Sequence, residues 1–170
     1  MDLGLKDRTA LVTAGSRGFG LATAKTLAAE GAKVALCARG AEDLEKAAAE
    51  IAAVAGADRV TARALDVTDD TAVADYVTHV DKALGPVDLM LVNAGGPPAG
   101  TFQDVDLDQW EAAYRLTIES AVRLCRLVLP GMMERGFGRI VAITSVSVRQ
   151  PVENLLLSSV LRPAVQGLVR

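Results

Sequence analysis

TALVTAGSRGFG, residues 9 to 20, decides how the rest of the chain must be arranged. Leu11 and Val12 close a short apolar run of strand character, and glycines follow at 15, 18 and 20. A strand therefore ends here and a tight turn begins. Beyond it Leu21, Ala22, Ala24, Leu27 and Ala28 recur at helical spacing as far as Glu30, and Gly31 is placed to stop the helix. Strand, glycine turn and helix in that order aim free backbone N–H groups and the positive end of a helix at one point, an arrangement suited to a diphosphate. Glycine belongs in such a turn because a Cβ would hold a ligand away from the backbone.

Outward from this stretch the pattern repeats. Lys33 to Ala38 reads as a second buried strand, and alanine-rich Ala41 to Ala55 as a helix closed by Gly56. Arg59 to Leu65 alternates like a strand and runs into Asp66-Val67. Thr68 is then positioned to cap a helix from about Asp70 to Leu84, broken by Pro86. Val87 to Val92 is a fourth strand, entering a Gly/Pro-rich loop from Asn93 to Gly100. One long helical segment is expected over Leu107 to Glu134 with a bend near Pro130, and Gly138 to Thr144 is the fifth strand. Apolar runs such as VALCA and DLMLVN, without polar alternation, belong to parallel strands covered on both sides. The fold class is α/β: a doubly wound parallel sheet in three αβα layers, forming a single domain over residues 1–170. Ligands of such sheets bind beyond the carboxyl ends of the strands. Attention therefore falls on Gly15 to Gly20, Arg39, Asp66, Asn93 to Gly96 and Ser145.

Composition narrows the function classes. The chain has 170 residues, 51% of them hydrophobic, and a formal net charge of -3 from 21 acidic and 18 basic residues. That balance speaks against disorder and against nucleic acid as a partner. No apolar run is long enough to span a membrane, and the N-terminal MDLGLKDRTA has no signal-type stretch, so a cytoplasmic location is expected. Cys37 and Cys125 sit in apolar segments without metal-ligand spacing, and His79 lies among helix-patterned residues. Reduced thiols and a solvated histidine are expected, and no metal.

Four landmarks, each after a strand, carry a resemblance to the classical short-chain dehydrogenase/reductase family, nearest in appearance to 3-oxoacyl-[acyl-carrier-protein] reductases. TAGSRGFG resembles the family's TGxxxGxG turn, with Thr13 standing for its threonine, Gly15 beginning the glycine set, and Ala14 as an extra residue between them in the usual place of the motif's second letter. Asp66-Val67 resembles the pair that contacts adenine, Asn93-Ala94-Gly95 the NAG motif, and Ser145 in ITSVS the catalytic serine. The resemblance implies a Rossmann-type nicotinamide site built from Gly15, Ser16, Arg17, Gly18, Phe19, Gly20, Arg39, Asp66, Val67, Asn93, Ala94 and Gly95. The family runs to roughly 250 residues, so the fold is expected to be C-terminally incomplete, with Arg139 to Thr144 left as an exposed edge. It also implies pairing into a homodimer or homotetramer through the long helices, for which Leu124, Leu127 and Val128 offer an apolar stripe.

An acidic residue after the second strand would select NAD(H). Arg39 stands there instead, with Arg17 in the glycine turn, and two guanidinium groups near the adenosine ribose favour the 2′-phosphate of NADP(H) over NAD(H). The catalytic positions depart from the family. Where its Tyr-x-x-x-Lys motif belongs, thirteen residues after Ser145, the chain has Ser158 and, four further on, Arg162; where its helix asparagine belongs, seven after Trp110, stands Thr117. A positioned general acid contributes about 10² to 10⁴ in rate. A serine is a far weaker acid than a phenol, and a guanidinium does not exchange its proton near neutral pH. Arg162 can still stabilise a developing oxyanion, with Ser145 and Ser158 as hydrogen-bond donors. Tyr114, one turn before Thr117, is read as a packing or interface residue, and Tyr76 as remote from the strand ends. Pro163 is expected to make the last helix kink or begin there. The expected function is an NADP(H)-dependent oxidoreductase acting on a small-molecule carbonyl, acyl substrate or secondary alcohol. The alternatives are an inactive NADP(H)-binding or regulatory protein, or an inactive fragment.

Overall fold

Strand β1 (Thr9–Thr13) lies at the centre of a five-stranded, wholly parallel sheet, seen in a computed structural model that describes residues 3–170. Met1 and Asp2, part of the N-terminal stretch read above, lie outside the described residues. Helix α1 (Gly18–Ala29) leads to β2 (Lys33–Ala38), α2 (Ala41–Ala55) to β3 (Val60–Ala64), and α3 (Asp70–Ala83) to β4 (Val87–Val92). Helices α4 (Leu107–Tyr114) and α5 (Ser120–Glu134) precede β5 (Arg139–Ala142), and α6 (Leu156–Leu168) follows it. The strands lie in the order β3-β2-β1-β4-β5, so the winding reverses between β1 and β4. In open parallel sheets that reversal opens a crevice at the carboxyl ends.

Alternation along each strand divides the core between the two faces. Leu11, Ala35, Cys37, Met90 and Val92 pack with Val73, Tyr76, Val80, Leu124 and Val128 of α3 and α5. Their neighbours Val12, Val34, Leu36, Ala38 and Leu91 pack with Ala24, Ala28, Leu44, Ala47 and Ile51 of α1 and α2. Adjacent strand residues point to opposite faces, so an unbroken apolar run serves both layers at once. A third cluster joins Ala113 of α4 to Leu157 and Leu161 of α6, with Trp110 and Ile118 against it.

Several boundaries differ from the sequence reading. The strands expected over Arg59 to Leu65 and Gly138 to Thr144 are shorter at both ends. Asp69, not Thr68, caps α3: its carboxylate accepts from the Ala72 N–H, while the Thr68 hydroxyl turns back to donate to Asp66. Helix α3 already stops before Gly85, whose φ of +98° suits glycine, so Pro86 is not the breaker. The helical segment expected over Leu107 to Glu134 is continuous with those bounds, but its irregularity does not lie at Pro130. A π-helical turn over Arg115–Glu119 separates α4 from α5, and Pro130 is taken up inside α5. Pro163 likewise lies within α6, which neither begins nor breaks there; buried Leu161, Arg162 and Val165 hold the helix on both sides of the ring. Leu124 and Val128 face the core, so they do not form an interface stripe; of the three residues in that stripe only Leu127, at 37% exposure, reaches the surface. Among the described residues no helix is long and apolar enough to cross a membrane, and no group of three His, Cys, Asp or Glu side chains is placed to hold a metal. Cys37 is a buried free thiol and Cys125 a half-buried one. His79 is exposed and lies 3.0 Å from the Thr61 hydroxyl.

Candidate cofactor cleft and active site

A cleft at the carboxyl ends of β1, β2, β3 and β4 gathers residues from four separate segments. Ser16 and Arg17 come from the glycine turn, Arg39 from the end of β2, Asp66 and Val67 from the end of β3, and Asn93, Ala94 and Gly95 from the loop after β4; Ala14 and Leu116 complete the wall. Eight of the predicted cofactor residues thus line one space. The first amides of α1, at Gly18, Phe19 and Gly20, have no intrahelical acceptor and belong to the positive helix end. The Phe19 side chain itself projects into solvent, 75% exposed.

The turn is held by its own packing. Thr13, fully buried, donates its hydroxyl to the Asn93 carbonyl at 2.7 Å and accepts the Asn93 N–H at 2.9 Å, tying β1 to the loop after β4. A Cβ at Gly15 would meet the Leu36 side chain at 2.7 Å, and one at Gly20 the Ala14 carbonyl at 2.2 Å. At these two positions glycine is required by the protein's own atoms, whereas the sequence reading had assigned the requirement to a ligand. Ala14 is not an insertion before the glycine set. With φ at +47° it holds the left-handed conformation the motif's second letter demands, a conformation in which glycine is unstrained.

Charge in the cleft is uneven. Arg39 is exposed and makes no ion pair or hydrogen bond among the described residues, while Arg17 lies 3.8 Å from Asp43 on α2. Burial opposes ionisation of Asp66, but the Thr68 amide and hydroxyl that bond its carboxylate, with Arg39 and Arg115 nearby, outweigh it and hold its pKa below the ordinary carboxylate value. Asp66 is thereby committed to ordering its own turn. Arg123 of α5, which the sequence reading did not single out, braces the same turn by donating to the Val67 carbonyl at 3.1 Å while pairing with Asp70.

The residues at the catalytic positions lie beside this cleft. Ser145 leaves β5 and accepts from the Ser147 N–H at 3.1 Å, capping a short 3₁₀ turn over Val146–Val148. The Ser147 hydroxyl lies 2.9 Å from Ser145 Oγ and 3.0 Å from Ser158 Oγ, so Ser147 joins two predicted residues that do not touch each other. Arg162 is 7% exposed and has no carboxylate partner among the described residues. Its guanidinium donates to the carbonyls of Ile143 at 2.9 Å and Gly95 at 3.2 Å, with Ala94 at 3.5 Å. Burial lowers its pKa, yet a guanidinium starts so high that it keeps its proton. Arg162 therefore places a permanent positive charge behind the cleft wall and clamps the NAG loop to the end of β5. Thr117 sits in the π-helical turn, buried, and its hydroxyl finds no hydrogen-bond partner, so it is not bonded into this group. Tyr76 is also out of reach: its hydroxyl donates to the Leu36 carbonyl at 2.6 Å within the sheet.

These residues fit a dinucleotide. The cleft lies at the reversal of the sheet, the turn leading into the N-terminus of α1 lines it through Ser16 and Arg17, and the Arg39 guanidinium, without an ion pair or hydrogen bond among the described residues, stands at its β2 edge. Comparison with known proteins agrees. The sequence matches the family described as short chain dehydrogenase over residues 8–170. It is 34% identical over 148 residues to the ketoacyl reductase HetN of Nostoc sp., a match covering 87% of this chain and 51% of that protein. The chain spans about half the length of such curated relatives. Among solved structures, an NADPH-bound short chain oxidoreductase from Pseudomonas aeruginosa PAO1, described as containing an atypical catalytic center, superposes with a TM-score of 0.89 at 32% identity, over 96% of this chain and 63% of that one. A xylitol dehydrogenase holding NAD+ gives a TM-score of 0.90 at 28% identity, again over 96% and 63%.

Proposed function

Since the chain belongs to the short chain dehydrogenase family, we propose that it is an NADP(H)-dependent oxidoreductase interconverting a carbonyl and a secondary alcohol, with 3-oxoacyl compounds as the first substrates to try. The observation that carries the reading is the cleft itself: Arg17 and Arg39 line it at the ends of β1 and β2, and Arg162, one turn after Ser158 on α6, bonds the Gly95 carbonyl of the loop forming its other wall. Bound NADPH supplies the hydride; the protein's task is to hold the reactants and to manage charge on the substrate oxygen.

The first amides of α1 would hold the pyrophosphate, and Arg39 with Arg17 would hold the ribose 2′-phosphate. Ser145 donates its hydroxyl to the substrate oxygen, and the fixed charge of Arg162 favours negative charge gathering there. Neither Ser158 nor Arg162 can serve as the neutral-pH acid that tyrosine and lysine supply in the family, so the proton that completes the alcohol comes from solvent. Turnover is expected to be slow, short of the family mechanism by up to the 10² to 10⁴ that a general acid contributes.

The experiment is a titration of the protein with NADPH and NADH, followed by assay against ketones and acyl thioesters. Thermal protection by NADPH with measurable NADPH oxidation supports the reading. Tight NADPH binding without turnover on any carbonyl would reduce the chain to a cofactor-binding protein, and protection by neither nucleotide would overturn the assignment.

A further inference from the structure

Ser147 has no place in the chemistry just described, yet it is the centre of the hydroxyl group at the end of β5. It is 2% exposed and cannot touch a substrate. Its neighbours are Ser145 Oγ at 2.9 Å and Ser158 Oγ at 3.0 Å, and its own N–H bonds Ser145 Oγ. Each serine hydroxyl has one proton to give and two lone pairs to receive. Ser158, 9% exposed, has Ser147 as its one hydrogen-bond partner among the described residues. If Ser158 did not donate to Ser147, its proton would be buried without an acceptor, which is costly. Ser147 then receives from Ser158 and gives its single proton to Ser145. Ser145 Oγ thus accepts twice, from the Ser147 amide and from the Ser147 hydroxyl, and its own proton has no acceptor among the described residues. The chain of donors runs one way, from the buried end toward the open one.

We infer that Ser147 is a positioning residue that sets the direction of the Ser145 hydroxyl, holding its proton outward as a donor for the carbonyl oxygen of a substrate. The inference rests on the oxidoreductase reading for its use, though not for its geometry. Ser158, at the position where the family has a tyrosine, serves as the buried terminus that starts the chain of donors and does not act on substrate. The short 3₁₀ turn makes this possible, because it brings residue 147 back over the cap at 145 and under α6.

Neutron diffraction from a deuterium-exchanged crystal reads hydroxyl directions without any turnover. The expected map has the Ser158 deuteron pointing at Ser147 Oγ, the Ser147 deuteron at Ser145 Oγ, and the Ser145 deuteron away from both. A Ser145 deuteron lying on Ser147 Oγ overturns the inference. In solution, Ser147→Ala should lower kcat about tenfold, with KM and the NADPH dissociation constant within twofold of wild type, and Ser147→Thr should recover most of the loss. Unchanged kcat in a folded Ser147→Ala protein would mean that the hydroxyl only caps its turn, and would also overturn it. Wild-type protein that binds NADPH but reduces no carbonyl would sink the oxidoreductase reading instead, and the neutron map would still decide the hydroxyl direction.

Discussion

The carbonyl oxygen of Ala14 occupies the space that any side chain on Gly20 would need, 2.2 Å from where its Cβ would sit. The obstacle is backbone at the end of β1, so it cannot swing aside. Gly20→Ala is expected to lower stability by about 3 kcal/mol, the upper range for overpacking, and to weaken NADPH binding with it. Ala14→Gly should act the other way. It relieves a left-handed alanine at about 1 kcal/mol, part of which the freer unfolded chain offsets. Urea unfolding of both variants checks the pair, and a lowered midpoint for Ala14→Gly would contradict this account of the turn.

Arg39 is the unpaired cation of the cleft, while Arg17 is shared with Asp43. Arg39→Ala should therefore raise the NADPH dissociation constant about 10- to 100-fold, the worth of a charge-assisted hydrogen bond of roughly 1.5–3 kcal/mol, and leave NADH nearly unchanged. Arg17→Ala should have the same sign and a smaller size. The difference should shrink as salt is added. Equal losses for both nucleotides, read by fluorescence titration, would remove the case for a 2′-phosphate.

Arg162 reaches three carbonyls on two segments with one planar fork, which a lysine ammonium cannot reproduce. Arg162→Lys is expected to cost about 1–3 kcal/mol in stability at neutral pH. The variant should also acquire a pH dependence. Burial disfavours an ammonium, so its folded pKa lies below the unfolded value near about 10.4; the unfolded state then binds more protons, and the lysine's contribution to stability rises with pH through that window. In wild type the guanidinium stays protonated and adds no such rise, while burial pushes the Cys37 thiol up to about 12 and raises Tyr76, so both proteins share that loss of stability as pH climbs and the gap between variant and wild type should narrow. Thermal melts at several alkaline pH values distinguish the two.

Asp66 carries a dependence of the same sign at the acid end of the scale. Its folded pKa is held below the ordinary value of 3.8, so its contribution is present above that value and is lost as pH falls through the folded pKa. The group is partly open to solvent, which limits the effect to less than about 1 kcal/mol. Asp66→Asn should melt slightly lower than wild type at pH 7 and converge with it toward pH 3. A constant gap between the two across this range would show that the Thr68 turn does not depend on the charge.

The parts legible in the sequence are those that short-range sterics decide. Lys33–Ala38 and Val87–Val92 are strands with the bounds their apolar runs predict, and Gly15, Gly18 and Gly20 mark the turn, because period and glycine content act within a few residues. The residues lining the cleft were legible because most of them follow a strand, and a parallel sheet brings strand ends together whatever the helices do in detail. The π-helical turn at Arg115–Glu119 leaves no such local mark, and neither does the burial of Leu124 and Val128, since apolar spacing on a helix does not say which neighbour covers it.

The order of elements and the glycine turn were therefore settled by the sequence alone, each being a matter of residue type at a local spacing. Tertiary structure decided what Arg162 and Ser147 do. A guanidinium can be satisfied by many acceptors, and only packing α6 against the loop after β4 brings it to the Ala94 carbonyl, 68 residues away. A serine hydroxyl bonds wherever a partner lies, and Ser147 meets Ser158 Oγ at 3.0 Å, eleven residues further on and across the boundary between two elements.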